Sequence, residues 1–96
     1  MSETAFYILF CLQEPQHGYG IGQEVKEMTK GEVSISPGTM YGTLSKMEKD
    51  GLINFVSEAE KRKIYEITEL GREILTTEMN RIKRIYINSI GDEYNG

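Results

Sequence analysis

Apolar positions recur at helical spacing in four stretches of this chain and alternate in one short region between the third and the fourth. Residues 4–13 place Ala5, Ile8, Leu9 and Leu12 on one face and Phe6, Phe10 and Cys11 toward another, which predicts a first helix needing cover on most sides. Glu14-Pro15-Gln16-His17-Gly18 then breaks it. From about Tyr19 to Thr29 a second helix is predicted, with Ile21, Val25 and Met28 at i, i+4 and i+7. Lys30-Gly31-Glu32 reads as a turn and Val33 to Ile35 as a brief extended piece.

The third helix carries the clearest boundaries. Ser36 suits its N-cap, because the hydroxyl can accept from a free backbone amide, and Pro37 suits the first helical position, where a missing N–H costs nothing. Met40, Leu44 and Met47 form the inner stripe, while Gly42, Thr43, Ser45, Lys46 and Lys49 occupy other faces. Gly51 after Asp50 is the stop. Leu52 to Val56 and Lys63 to Thr68 have strand composition, with Ile53 and Phe55 alternating in one and Tyr65 and Ile67 in the other, around a polar tip at Ser57 to Arg62.

Thr68 reads as the cap of a last helix running to about Ile90, with Glu69 and Glu73 near its positive end. Its stripe is Ile74, Leu75, Met79, Ile82, Ile85, Tyr86 and Ile90. At ~23 residues this helix is ~34 Å long, more than a compact three-helix core covers, so the surplus calls for a partner subunit. Asp92 to Gly96 reads as a frayed tail. The expected fold class is mainly α with a small β hairpin. Residues 1–68 are expected to form a winged helix-turn-helix DNA-binding domain, and residues 69–96 a long C-terminal dimerisation helix with a short tail.

A length of 96 residues bounds the chain to one domain, small enough that a partner subunit matters. No apolar stretch reaches the roughly 18 residues of a membrane span. The longest, Ala5 to Leu12, follows an acidic Glu3 instead of a basic n-region, so a cytoplasmic, unprocessed protein with no membrane partner is expected. The single Cys11 sits inside that run, where a buried small hydrophobe is expected and redox sensing is the alternative.

The net charge of −4 argues against a nonspecific polycation. Its distribution is uneven. Residues 1–35 hold two cations against five carboxylates, residues 36–63 five against four, and residues 64–96 four against six. The one net positive third therefore contains the third helix, with Lys46 and Lys49, and the cluster Lys61-Arg62-Lys63. A local patch of this kind can hold phosphate although the whole chain is acidic. A slim, polar and basic outer face suits a helix that enters a DNA major groove; the same pattern suits any amphipathic helix of a small domain.

Enzymatic chemistry is not expected. The chain has no phosphate-binding glycine loop, no metal-ligand spacing and no nucleophile with a partnered base, so neither cofactor nor metal is implied. His17, beside Gly18 and without a Cys or Asp cluster, is expected to cap or turn the chain and not to ligate.

Several blocks carry a resemblance. His17-Gly18-Tyr19-Gly20-Ile21 opens the second helix, and Pro37-Gly38-Thr39-Met40-Tyr41-Gly42-Thr43-Leu44 is followed by Leu52-Ile53 after Gly51. Arg62-Lys63-Ile64-Tyr65 lies in the hairpin and Thr68-Glu69-Leu70-Gly71 opens the last helix. In order and spacing, over about residues 4–75, these blocks resemble the PadR family of bacterial winged-helix transcriptional regulators. The resemblance implies a homodimer built through the C-terminal and first helices, usually a repressor that releases its operator when a ligand binds. The single C-terminal helix is similar to the smaller of the family's two classes. Some small members sandwich flat aromatic drugs between tryptophans at the dimer interface; this chain has no tryptophan, and Glu58 and Glu60 depart from a purely basic wing.

On this reading Ser36, Thr39, Gly42, Thr43, Ser45, Lys46 and Lys49 belong to the DNA-facing side of the third helix, small residues allowing close approach. A solvated helix face is the competing reading. Tyr41 lies at the rim of the core with its hydroxyl toward a phosphate, or is a buried structural tyrosine. Lys61, Arg62 and Lys63 reach phosphate or the minor groove, or form a merely solvated turn. Tyr19 is packing, or lies near the DNA backbone. Phe6, Phe10, Leu75, Met79, Ile82 and Tyr86 are expected at a dimer surface that can double as an adaptable pocket for a small aromatic or hydrophobic effector. Plain dimer core competes with that pocket. The expected function is ligand-responsive repression by a homodimer on a double-stranded, pseudo-palindromic DNA operator. The alternative is a winged-helix protein-interaction module without direct DNA binding, which the acidic balance favours.

Overall fold

The computed structural model describes residues 1–95, with side chains described through Gly91. In chain order the elements are α1 (Glu3–Cys11), β1 (Gln16–His17), α2 (Gly18–Met28), α3 (Pro37–Lys49), β2 (Ile53–Ala59), β3 (Arg62–Ile67) and α4 (Glu69–Asn95). Every helix opens on a side chain that accepts from an otherwise free amide. Ser2 Oγ takes the Ala5 N–H at 3.1 Å, His17 Nδ1 that of Gly20 at 3.0 Å, Ser36 Oγ that of Thr39 at 3.2 Å and Thr68 Oγ1 that of Gly71 at 3.0 Å. The capping expected of His17, Ser36 and Thr68 is therefore present, and α3 has its expected bounds. Gly51 follows with φ +78°, the left-handed conformation that glycine takes without a side-chain clash.

The sheet has three antiparallel strands in the order β1-β3-β2, not the two-stranded hairpin expected. Gln16 and His17, read from sequence as part of a break, pair with Tyr65 and Ile64. Two residues are too few to leave an alternating pattern. The β2–β3 ladder runs from Ile53↔Ile67 to Ala59↔Arg62, with an irregularity between Phe55 and Ser57. The expected six-residue tip thus contracts to Glu60-Lys61, which hold φ values of 52° and 65°. Such a tight turn ordinarily takes Asn-Gly. The outer rungs of this hairpin are solvated on both faces, so no apolar alternation announces them.

Ile8, Leu9 and Leu12 of α1, Ile21 and Val25 of α2, and Met40, Leu44 and Met47 of α3 close over Ile53, Tyr65 and Ile67. Two expected core positions differ. Met28 is 45% exposed because α2 ends there, past the edge of the core. Phe55 is half-exposed, its ring edge-on to Tyr65 at 6.2 Å.

α4 is seated on this core by its first turns. Ile67 N–H donates to the Leu12 carbonyl at 2.8 Å and Thr68 N–H to the Leu52 carbonyl at 2.9 Å, while Thr68 Oγ1 donates to the Gly51 carbonyl at 2.6 Å. A Cβ on Gly71 would run into the Leu52 carbonyl oxygen and the Ile67 side chain. Leu75 completes the buried part of the stripe, whereas Met79, Ile82, Ile85 and Tyr86 are exposed. With 27 residues α4 is ~40 Å long at ~1.5 Å per residue, and the molecule's longest extent is 54 Å. It passes the expected end at Ile90. Of the expected tail at Asp92 to Gly96, the helix includes all but Gly96, and those side chains and Gly96 itself lie outside the described residues. No helix among the described residues is long and apolar enough to cross a membrane.

Candidate nucleic-acid interface

Burial of Met40, Leu44 and Met47 fixes how α3 is turned. Gly38, Thr39, Gly42, Ser45, Lys46 and Lys49 are all exposed as a result. Thr43 is half-buried at the edge facing α1, and Tyr41 is 56% exposed at the edge facing the hairpin, so a buried structural tyrosine is not what Tyr41 is. A Cβ on Gly38 or Gly42 would meet nothing within 4 Å. No packing inside the chain requires either position to be bare, although glycine inside a helix costs ~1 kcal/mol relative to alanine.

Two members of the expected set are already engaged. Ser36 holds the α3 cap and donates its hydroxyl to Thr39 Oγ1 at 3.0 Å. Lys46 Nζ lies 3.1 Å from Asp50 Oδ2 one turn further along, an exposed pair worth ~0.3–0.5 kcal/mol that exchanges partners readily.

The hairpin stands beside α3 as a wing. Tyr41 and Ser45 of α3 face Lys61, Arg62, Lys63 and Glu58 across a polar groove of about 380 Å³. Tyr41 also lines a neighbouring groove of about 260 Å³ between α2 and α3, together with Tyr19, Gln23, Lys26 and Ser34. The other flank of α3, with Thr39, Gly42, Thr43 and Lys46, borders a groove of about 570 Å³ against Ser2 and Ala5. Tyr41 and Ser45 are thus brought together with the wing cations, while Thr39, Gly42, Thr43 and Lys46 lie on the opposite flank of α3 and Ser36 and Lys49 border none of the three grooves. Gln23, Lys26 and Ser34 join Tyr41 without having been singled out. Tyr19, Gln23 and Lys26 recur at i, i+4 and i+7, a polar stripe the sequence displays but which reads as a solvated face until α3 lies next to it.

The expected dimer and effector residues divide. Phe6, Met79, Ile82 and Tyr86, with Tyr7 and Lys83, line a groove of about 660 Å³ between α1 and α4. Phe10 lies outside that groove and stacks on Phe6 at 6.0 Å. Leu75 is a correction: at 2% exposure it belongs to the chain's own core, because the first turns of α4 are already covered. Glu78 borders the groove too, and the Arg81 guanidinium hydrogen-bonded to it holds its carboxyl below the usual carboxylate range. Burial, aided by nearby Glu24, pushes the Cys11 thiol up to about 12, so it stays protonated and unreactive at neutral pH.

Helix-turn-helix, hairpin beside the second of those helices, and a long trailing helix define a winged-helix protein. The family model described as the transcriptional regulator PadR-like family matches residues 8–77, and the chain belongs to that family. It is 30% identical over 80 residues to a transcriptional regulator of Mycobacterium tuberculosis, covering 80% of this chain and 72% of that protein. An uncharacterized protein of Lysinibacillus sphaericus is 35% identical over 69 residues, 68% of this chain and 63% of the relative. A transposon protein of Streptomyces fradiae is 28% identical over 85 residues, 88% of this chain and 24% of its own length. The chain therefore spans less than two thirds of these last two. Among solved structures, a PadR family transcription regulator from Clostridium difficile superposes with a TM-score of 0.73 at 27% identity, covering 99% of this chain and all of that one. The structure of Bacillus subtilis PadR in complex with operator DNA shares the fold, with a TM-score of 0.73 at 24% identity over 81% of this chain and 47% of that one.

Proposed function

We propose that this family member is a ligand-responsive repressor that binds a pseudo-palindromic operator as a homodimer. Residues 1–68 read DNA and residues 69–96 join the subunits. The observation that carries this reading is the bare strip of α3: Gly42 lies mid-helix with open space above it, flanked by Thr39, Ser45, Lys46 and Lys49. A helix that keeps glycine there gives up stability and gains only close approach by something outside the chain. The wing cations across the groove fit a phosphate backbone, and the related Bacillus subtilis PadR was solved with operator DNA. Two-fold symmetry then sets two copies of α3 about one helical turn, ~34 Å, apart along the duplex. The exposed stripe of α4 supports the dimer, and the apolar groove between α1 and α4 suits a small aromatic or hydrophobic effector.

Gly42→Ala separates this function from a protein-interaction module. The variant should fold more stably, by ~0.5–1 kcal/mol in denaturant titrations, while binding a selected operator duplex more weakly. Wild-type binding to that duplex should fall with salt at a log-log slope near −0.9 per phosphate contacted. A folded dimer with no salt-sensitive DNA binding, and equal behaviour of Gly42→Ala, would return the weight to a protein partner.

A further inference from the structure

The guanidinium carbon of Arg62, the first residue of β3, lies 4.6 Å from the centroid of the Tyr19 ring. Both side chains are exposed. Among the described residues the Arg62 guanidinium lies over an aromatic face and in no ion pair, in a chain with more carboxylates than cations. The contact is set by the fold: His17 caps α2 and, as the last residue of β1, pairs through its backbone with Ile64, two residues beyond Arg62, so the first turn of α2 follows directly from a strand joined to β3. The His17 ring, 6.5 Å from that of Tyr19, backs it from the side.

We propose that Tyr19 is a positioning residue for Arg62, holding its guanidinium at the mouth of the groove between α3 and the wing, ready for a nucleic-acid phosphate. An arginine stacked by its face on a ring keeps the N–H groups along its edge free, and these are the groups that grip a phosphate two at a time. Lysine in the same place presents a point charge and no fork. Tyr41 lines the grooves on both sides of this pair, so the held guanidinium stands where the α2–α3 groove runs into the α3–wing groove. The proposal rests on the DNA-binding reading for its consequence and not for its geometry.

Two measurements test it. In the DNA-free protein, NMR should find the Arg62 δ-methylene protons shifted upfield by the Tyr19 ring, and the shift should vanish in Tyr19→Leu and persist in Tyr19→Phe. Against a duplex selected by the wild-type protein from a random-sequence pool, Tyr19→Leu should lose about two- to five-fold in affinity, the range of an exposed cation–π contact. Tyr19→Phe should bind like the wild type, and Tyr19→Leu should cost nothing further in an Arg62→Ala background. An equal loss in that background would overturn the proposal, since Tyr19 would be acting without Arg62. So would a Tyr19→Phe loss matching Tyr19→Leu, which would assign the effect to the hydroxyl. Absence of the ring shift refutes the clasp, whereas its presence with no DNA bound by any variant refutes the regulatory reading.

Discussion

Two helices of this molecule each carry a glycine on a face that matters, and the two glycines are bare for opposite reasons. At Gly71 in α4 a single carbon would strike the Leu52 carbonyl and Ile67. At Gly42 in α3 it would strike nothing. The first is required by the chain's own packing, the second by nothing within the chain. The same division runs along the rest of each helix. The apolar stripe of α3 is wholly covered by Met40, Leu44 and Met47, whereas that of α4 is covered at Leu75 and open at Ile82, Ile85 and Tyr86. One helix is finished inside and open on its polar side; the other is unfinished on its apolar side.

The sharpest way to break this comparison is at the closed glycine. Gly71→Ala should lower stability by ~2–3 kcal/mol, the upper range for overpacking, seen as an earlier midpoint in denaturant unfolding. A midpoint equal to the wild type's would mean that α4 is not pressed against Leu52. Next in size is the open stripe. Ile85→Glu, which does not touch the α1–α4 groove, should leave the helical circular dichroism intact and drive a sedimenting dimer to monomer, weakening self-association by roughly 2 kcal/mol or more. Unchanged sedimentation would remove that part of α4 from the interface. The smallest effect lies on α3. Asp50→Asn releases Lys46 from its exposed partner and should raise operator affinity about two-fold, in line with an i, i+4 pair of ~0.3–0.5 kcal/mol. Lower affinity would show that Asp50 supports the DNA-facing surface instead of competing with it.

What the sequence disclosed depended on how local each cause was. α3 was legible to the residue, because Ser36, Pro37, Gly51 and the Met40-Leu44-Met47 spacing act within a turn or two. The stripe of α4 was legible as a stripe and no further: periodicity says which face is apolar and not what covers it, so Leu75 and Ile82 read alike although one is in the core and the other is bare. β1 was hidden because its cause is remote, a ladder with Ile64 and Tyr65 that two residues cannot advertise. At the candidate site, the α3 residues and the wing cations were legible as types, whereas the nearness of Tyr19 to Arg62 arises only when the hairpin folds back against α2, and that of Gln23 and Lys26 to Tyr41 only when α3 packs beside α2.

The seat of Gly71 on Leu52 also makes α4 a lever with its fulcrum at the root of the wing. Leu52 joins the end of α3 to β2, so the helix bears on the segment that leads from α3 into the wing. Across ~40 Å of helix, at ~1.5 Å per residue, a displacement of ~2 Å at the far end corresponds to a tilt of about 3° at the fulcrum. With no side chain between the lever and its bearing, there is little soft material at the joint to absorb such a movement.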